Sequence, residues 1–124
     1  MRNITFLLPP EVSGVVKTSV ADAKKILSRH NIRIKIRTVE DPFKFPGMVL
    51  DVKNGPLASK IISRQPSVSK LVRKLGPECF YLTKEAILGG DEAGVRFGLG
   101  KFAKNLLQGA EIKNTKTVYS PRYS

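Results

Sequence analysis

A hairpin followed by a glycine-bearing helix, within residues 78–108, constrains the fold more than any other stretch. Residues 79–83 and 86–88 are typical of two short strands joined by a turn, and Gly89 and Gly90 end the second strand. Asp91 is placed to cap the helix that follows, because its short carboxylate can accept from the unpaired N–H groups of the first turn. Gly109 stands where a left-handed residue often ends a helix. We therefore predict a hairpin that leads directly into a helix from Asp91 to Gln108.

This helix carries one apolar stripe and three glycines. The stripe repeats at helical spacing and consists of Val95, Leu99, Phe102 and Leu106. A glycine inside a helix costs roughly 1 kcal/mol relative to alanine, so Gly94, Gly98 and Gly100 need a reason. We interpret them as a sign that the helix packs very closely on a sheet, with the close approach of a ligand as the alternative.

The rest of the chain alternates between strand and helix patterns. Strands are predicted over residues 3–8, 32–39, 47–52 and 111–118, and helices from Thr18 or Ser19 to about His30, over 57–64 as a short piece, and from Gln65 to about Leu75. The order predicts an α+β fold, an α/β two-layer arrangement of one mixed, twisted sheet. Its two main helices, which begin near Ser19 and Asp91, are expected on one face.

Length and composition limit the organisation of the chain. The 124 residues form one predicted domain, residues 1–124. No apolar run approaches the roughly 20 residues of a membrane span, and residues 1–10 lack the features of a signal peptide. We expect no membrane partner, and a cytoplasmic location if the chain is complete. Cys79 is the only cysteine, which excludes an internal disulfide.

Positive charge dominates the composition. The 22 Lys and Arg exceed the 10 Asp and Glu and give a net charge of +12, which favours a polyanionic partner. The strand at 32–39 concentrates this charge: its isoleucines point to one face and its cations, Arg33, Lys35 and Arg37, to the other. These three residues form either a solvated face that discourages edge pairing or a contact with a polyanion or a neighbouring domain.

We predict no catalytic, cofactor-binding or metal-binding residue. His30 is the only histidine, and it is expected to interact with the C-terminal end of a helix rather than to bind a metal. Asp91 and Glu92 are not a glycosidase pair, because successive helix positions diverge by about 100° and capping accounts for both. Their negative charge also argues against phosphate binding at the preceding glycines.

Two motifs resemble one family of accessory domains. Residues 91–99 contain, from Glu92 onward, the pattern acidic, small, Gly, apolar, any, aromatic, Gly, apolar, and residues 118–123 give an apolar-x-x-Pro-Arg-aromatic ending. This combination resembles the non-catalytic α/β domain that precedes the barrel in β-N-acetylhexosaminidases of glycoside hydrolase family 20, and related domains of α-glucuronidases. The chain departs from that pattern at Phe97, where Tyr is common, and at Ser120, where an acidic or small residue is common.

The resemblance implies a scaffolding role beside a catalytic barrel of the same or a neighbouring polypeptide. In that family the catalytic carboxylates belong to the barrel, so the resemblance assigns no catalytic residue to this chain. The alternative is a small basic nucleic-acid-binding protein that uses the Arg33, Lys35 and Arg37 row. Phe80, Tyr81 and Phe97 are the aromatic residues available for base stacking in that alternative, although the pattern around Phe80 and Phe97 favours a place in the core.

Overall fold

The computed structural model describes residues 2–109 and the backbone of residues 117–119. Ten elements follow one another: β1 (Arg2–Leu8), α1 (Gly14–Ser28), β2 (Ile32–Thr38), β3 (Met48–Val52), α2 (Pro56–Arg64), α3 (Pro66–Arg73), β4 (Phe80–Leu82), β5 (Ala86–Gly89), α4 (Glu92–Leu107) and β6 (Thr117–Tyr119). This order agrees with the one predicted from the sequence. The first six residues of the predicted last strand and the Pro-Arg-aromatic ending lie outside the described residues.

The strands form one mixed sheet in the order β2-β1-β3-β5-β4-β6. Strands β2, β1, β3 and β5 are parallel, with pairs such as Ile4 with Ile34 and Leu50 with Ile87. Strand β4 runs antiparallel to both β5 and β6, so the predicted hairpin lies between the parallel strands and the outermost strand β6. The mixed sheet predicted from the sequence is therefore confirmed.

Helices cover both faces of this sheet. Helices α1 and α4 pack on one face over a core that includes Phe6, Leu50 and Ile87. Helices α2 and α3 cover the other face over a second core that includes Leu7 and Leu88. The two main helices share one face, as predicted. The short helices add a third layer that the two-layer description did not contain.

Helix α4 lies on the sheet at two glycines. A Cβ atom built on Gly98 would collide with the side chain of Ile87 and the ring of Phe80, and one built on Gly94 would collide with the carbonyl oxygen of Cys79. Close helix packing on the sheet therefore explains both glycines. Gly100 differs, because a Cβ atom there would meet nothing within 4 Å.

Of the caps predicted for the two main helices, one is confirmed and the other is wrong. Asp91 caps α4 as predicted, because its Oδ1 accepts from the N–H of Gly94 at 2.8 Å and from the N–H of Glu78 at 3.0 Å. The predicted cap of α1 at Thr18 or Ser19 is wrong. Ser13 caps this helix in an extended conformation, and its Oγ accepts from the N–H of Val16. Ser19 is buried within α1 and donates its hydroxyl to a backbone carbonyl.

Helix α2 takes its cap from a neighbouring strand. The capping position holds Gly55, which has no side chain to offer, and the carboxylate of Asp51 at the end of β3 occupies the space beside it. Asp51 Oδ2 accepts from the N–H groups of Leu57 at 2.9 Å and Ala58 at 3.0 Å. Burial raises the pKa of Asp51, and the backbone N–H bonds to its oxygens oppose that rise. This buried carboxylate therefore has a structural task.

Alanine substitutions at Gly98 and Gly100 should have opposite effects on stability. Gly98→Ala should lower the free energy of unfolding by about 1–3 kcal/mol, because the stiff Ile87 side chain and the Phe80 ring must move. Gly100→Ala should raise it by about 0.5–1 kcal/mol through helix propensity alone. Urea denaturation followed by circular dichroism measures both. Equal effects of the two substitutions would contradict the packing of α4 described above.

Removing the Asp51 carboxylate should destabilise the protein. Asp51→Ala leaves the Leu57 and Ala58 N–H groups without an acceptor and should cost about 1–3 kcal/mol in urea denaturation. Asp22→Ala, at an exposed position on α1, is the control and should change stability by no more than about 0.5 kcal/mol.

The pH dependence of that loss has a definite sign. Because the folded-state pKa of Asp51 is raised above 3.8, its contribution to stability is full below that value and decreases as the pH rises through the folded-state pKa. The cost of Asp51→Ala should therefore be larger near about pH 4 than near about pH 7. A larger cost at neutral pH would contradict the raised pKa.

Candidate functional site

The basic row predicted from the sequence lies on the outermost strand of the sheet. Within the described residues, β2 pairs only with β1. Its Ile32 and Ile34 are buried in the core beneath α1 and α4, so the alternation of the strand directs Arg33, Lys35 and Arg37 to the face that carries α2 and α3. All three cations are exposed, and the structure brings them together in one row.

The loop between β2 and β3 adds two aromatic rings beside this row. The guanidinium of Arg37 lies 3.6 Å from the centroid of Phe45, and that of Arg64, at the end of α2, lies 3.8 Å from the centroid of Phe43. Both distances are well inside the range of a cation–π interaction. Each phenylalanine of the loop therefore has a cation over its ring.

A third cation from α2 holds the same loop. Lys60 Nζ donates to the carbonyl oxygen of Glu40 at 2.6 Å. Lys60 and Arg64 are four positions apart, so they lie on the same side of α2. The sequence prediction did not include either residue, although this i, i+4 spacing of cations was a signal that could have indicated them. We define the basic face as Arg33, Lys35, Arg37, Lys60 and Arg64.

The charges of the basic face have little local compensation. Within residues 2–109, neither Arg33 nor Lys35 forms an ion pair with a carboxylate. Acidic residues of the adjoining loop are Glu40 and Asp41, and Asp41 Oδ1 accepts from the N–H of Phe43 in a local turn. The face therefore presents two unpaired cations next to three cations that hold the loop.

Among the described residues, no group of three His, Cys, Asp or Glu side chains could hold a metal ion. His30 is exposed and follows the end of α1, where its N–H donates to the carbonyl of Leu27. The glycine pair before α4 offers no free anion site at Gly90, because its N–H donates to the carbonyl of Cys79 at 2.8 Å.

The aromatic residues considered for base stacking lie mainly inside the protein. Phe80 and Tyr81 are buried, and Phe97 is half-buried with the Arg96 guanidinium 5.0 Å from its ring centroid. Phe43 is the exposed aromatic residue beside the basic face. A stacking role for Phe80 on the surface is therefore excluded by its burial, and among the described residues the loop supplies the exposed aromatic ring next to the basic face.

Comparisons with known proteins identify no relative. The chain matches no protein-family model and no curated protein. In the part of the chain that the structure describes, no helix has both the length and the apolar character needed to cross a membrane.

The stacked pair of Arg37 and Phe45 should be measurable as a coupling free energy. In a double-mutant cycle with Arg37→Ala and Phe45→Ala, urea denaturation should give a coupling of about 0.5–1 kcal/mol, as expected for an exposed cation–π pair. The same cycle with Arg33→Ala in place of Arg37→Ala is the control and should give a coupling near zero. Equal couplings in the two cycles would show that the stacking contributes nothing.

Proposed function

We propose that this chain is a non-catalytic accessory domain of a carbohydrate-active enzyme, of the type that stands beside the catalytic barrel in glycoside hydrolase family 20. The observation that carries the proposal is the unit formed by β4, β5 and α4. Its Asp91 carboxylate caps α4, and Gly94 and Gly98 allow the close contact with the sheet, so three residues of the motif that suggested the resemblance have a definite structural task. The role of such a domain is to scaffold the barrel.

The basic face is the part of this domain best suited to contact the barrel. It lies on an outer strand, and its side chains are exposed rather than engaged in the core. Arg33 and Lys35 have no carboxylate partner within residues 2–109, so an acidic surface could pair with them without breaking an existing ion pair. Charge complementarity of this kind favours one orientation of two domains and disfavours others.

The proposal is tested by the catalytic barrel itself. A barrel encoded in the same polypeptide after residue 124, or in a neighbouring reading frame, is expressed with and without this chain. We expect a one-to-one complex by light scattering and a barrel with higher thermal stability and glycosidase activity when the chain is present. Absence of an encoded barrel, or a barrel that ignores the chain, would refute the proposal.

A charge reversal with a matched control tests the contact surface. Replacing Arg33, Lys35 and Arg37 by glutamate should weaken the complex at least about tenfold, because like charges then face each other. Replacing the exposed Lys24 and Lys25 of α1, and Arg29 directly after it, by glutamate makes the same change in net charge and should leave the affinity nearly unchanged. Isothermal titration calorimetry measures both, and equal losses would show that only net charge matters.

Nucleic-acid binding is the second candidate, favoured by the arginine–phenylalanine pairs beside the exposed basic row. If a single-stranded nucleic acid is the partner, removing Arg33 and Arg37 together should reduce the slope of log K against log salt by about 1.4, as expected for two lost phosphate contacts. Fluorescence anisotropy with a labelled oligonucleotide measures the slope. An unchanged slope would exclude this candidate.

A further inference from the structure

A cleft of about 460 Å³ opens on the face of the sheet that carries α2 and α3. The loop between β2 and β3 lines it with Phe43 and Phe45, and the two short helices line it with Ile61 and Val68. Strand β4 contributes Tyr81 and the residue that follows this strand contributes Thr83, both beneath these apolar groups. The volume lies within the range of about 300–1,000 Å³ that small-molecule sites occupy.

Tyr81 has an uncommitted hydroxyl in this cleft. The residue is only 3% exposed and its ring belongs to the core beneath α2 and α3. Its hydroxyl makes no hydrogen bond within the described residues. Every side-chain oxygen or nitrogen there that is sealed from solvent has a hydrogen-bond partner, so the unpaired Tyr81 oxygen must be in contact with solvent. The oxygen is therefore reached through the cleft. Buried tyrosine hydroxyls usually have a partner, so this one is available to a ligand.

Thr83 supplies a second donor next to Tyr81. Its Oγ1 accepts from the N–H groups of Glu85 at 3.1 Å and Ala86 at 3.2 Å, which leaves the hydroxyl hydrogen free to donate within the described part of the chain. Burial raises the pKa of Tyr81, and the nearby Glu85 carboxylate raises it further, so the phenol remains a donor at neutral pH. Both hydroxyls can thus donate to the same ligand.

Acceptors are present at the same cleft. Glu85 and Gln65 line it, and the Gln65 amide forms no cap on α3 and no other hydrogen bond within residues 2–109. The cleft therefore combines apolar aromatic and aliphatic groups with donors and acceptors, which come from the sheet side at Tyr81, Thr83 and Glu85 and from the α2–α3 junction at Gln65. A flat heterocycle meets this combination, because its faces are apolar and its edge carries both ring nitrogens and amino groups. A pyranose carries hydroxyls around its whole rim and would leave several of them against the apolar groups.

We propose that this cleft binds a flat nitrogen heterocycle of the purine type, with the ring between the loop phenylalanines and the α2–α3 side chains and its edge hydrogen-bonded to Tyr81 and Thr83. This proposal does not depend on the proposed contact with a barrel, although the cleft adjoins the basic face through Phe43 and Phe45. The ring lies among Phe43, Phe45, Ile61 and Val68, while Glu85 and Gln65 accept from its amino group.

The test is a titration of the full chain with adenosine, followed by amide chemical shifts. We expect saturable shifts confined to residues that line the cleft, with a dissociation constant below about 10 mM. Tyr81→Phe keeps the ring and removes only the hydroxyl, and it should weaken binding about three- to tenfold, which corresponds to one lost hydrogen bond. Thr38→Val removes an exposed hydroxyl on the other face of the sheet and should leave the affinity unchanged.

Three results would overturn the proposal. These are the absence of shifts with adenosine, shifts that map away from the cleft, and equal affinity of the Tyr81→Phe variant and the wild type. N-Acetylglucosamine provides the comparison ligand, and binding of this sugar in the cleft in place of adenosine would show that the ligand class is wrong. Thermal denaturation of each variant confirms that it is folded, and the wild-type titration stands as a test even if a variant is not.

Discussion

The close contact between α4 and the sheet is the constraint on which the rest of this fold depends. Gly98 lets the helix approach Ile87 and Phe80, and Gly94 lets it approach the backbone of Cys79. At that separation the buried stripe of α4, with Val95 and Leu99, reaches the same core as α1. The helix then covers the point where the parallel part of the sheet meets the antiparallel hairpin. Gly94 and Gly98 thus allow one helix to cover both the parallel and the antiparallel part of the sheet.

Much of this arrangement could be predicted because it is encoded locally. The alternation in β2, the carboxylate of Asp91 before an amphipathic segment, and the position of Gly109 all depend on neighbouring residues, and the structure contains each of them. The mixed sheet followed from the order of these segments. The glycines indicated close packing correctly at Gly94 and Gly98, whereas Gly100 has no close neighbour that explains it.

What the sequence did not indicate depends on contacts between distant residues. Ser13 precedes a glycine and two valines, and the more regular pattern after Thr18 led to a wrong predicted start of α1. The cap of α2 comes from Asp51, in a strand rather than at the helix start. The third layer arises because α2 and α3 pack over the second core, and it was not predicted because Pro66 divides this region into two short helices. The basic row was predicted. The position of the loop between β2 and β3 beside it was not, because it depends on contacts of Arg37 and Arg64 with the loop phenylalanines.

The capping carboxylates have a consequence for how charge is distributed over the molecule. Helices α1, α2 and α4 each follow a parallel strand, so the positive ends of their dipoles gather at the carboxyl-terminal edge of the sheet. Asp51, Asp91 and Glu92 neutralise two of those ends. Because these carboxylates bind to the helix ends, they do not act as counter-ions for the lysine and arginines on β2. The positive ends of α2 and α4 therefore attract anions less than uncapped helix ends would, whereas the cations of β2 keep their full charge toward an approaching anion.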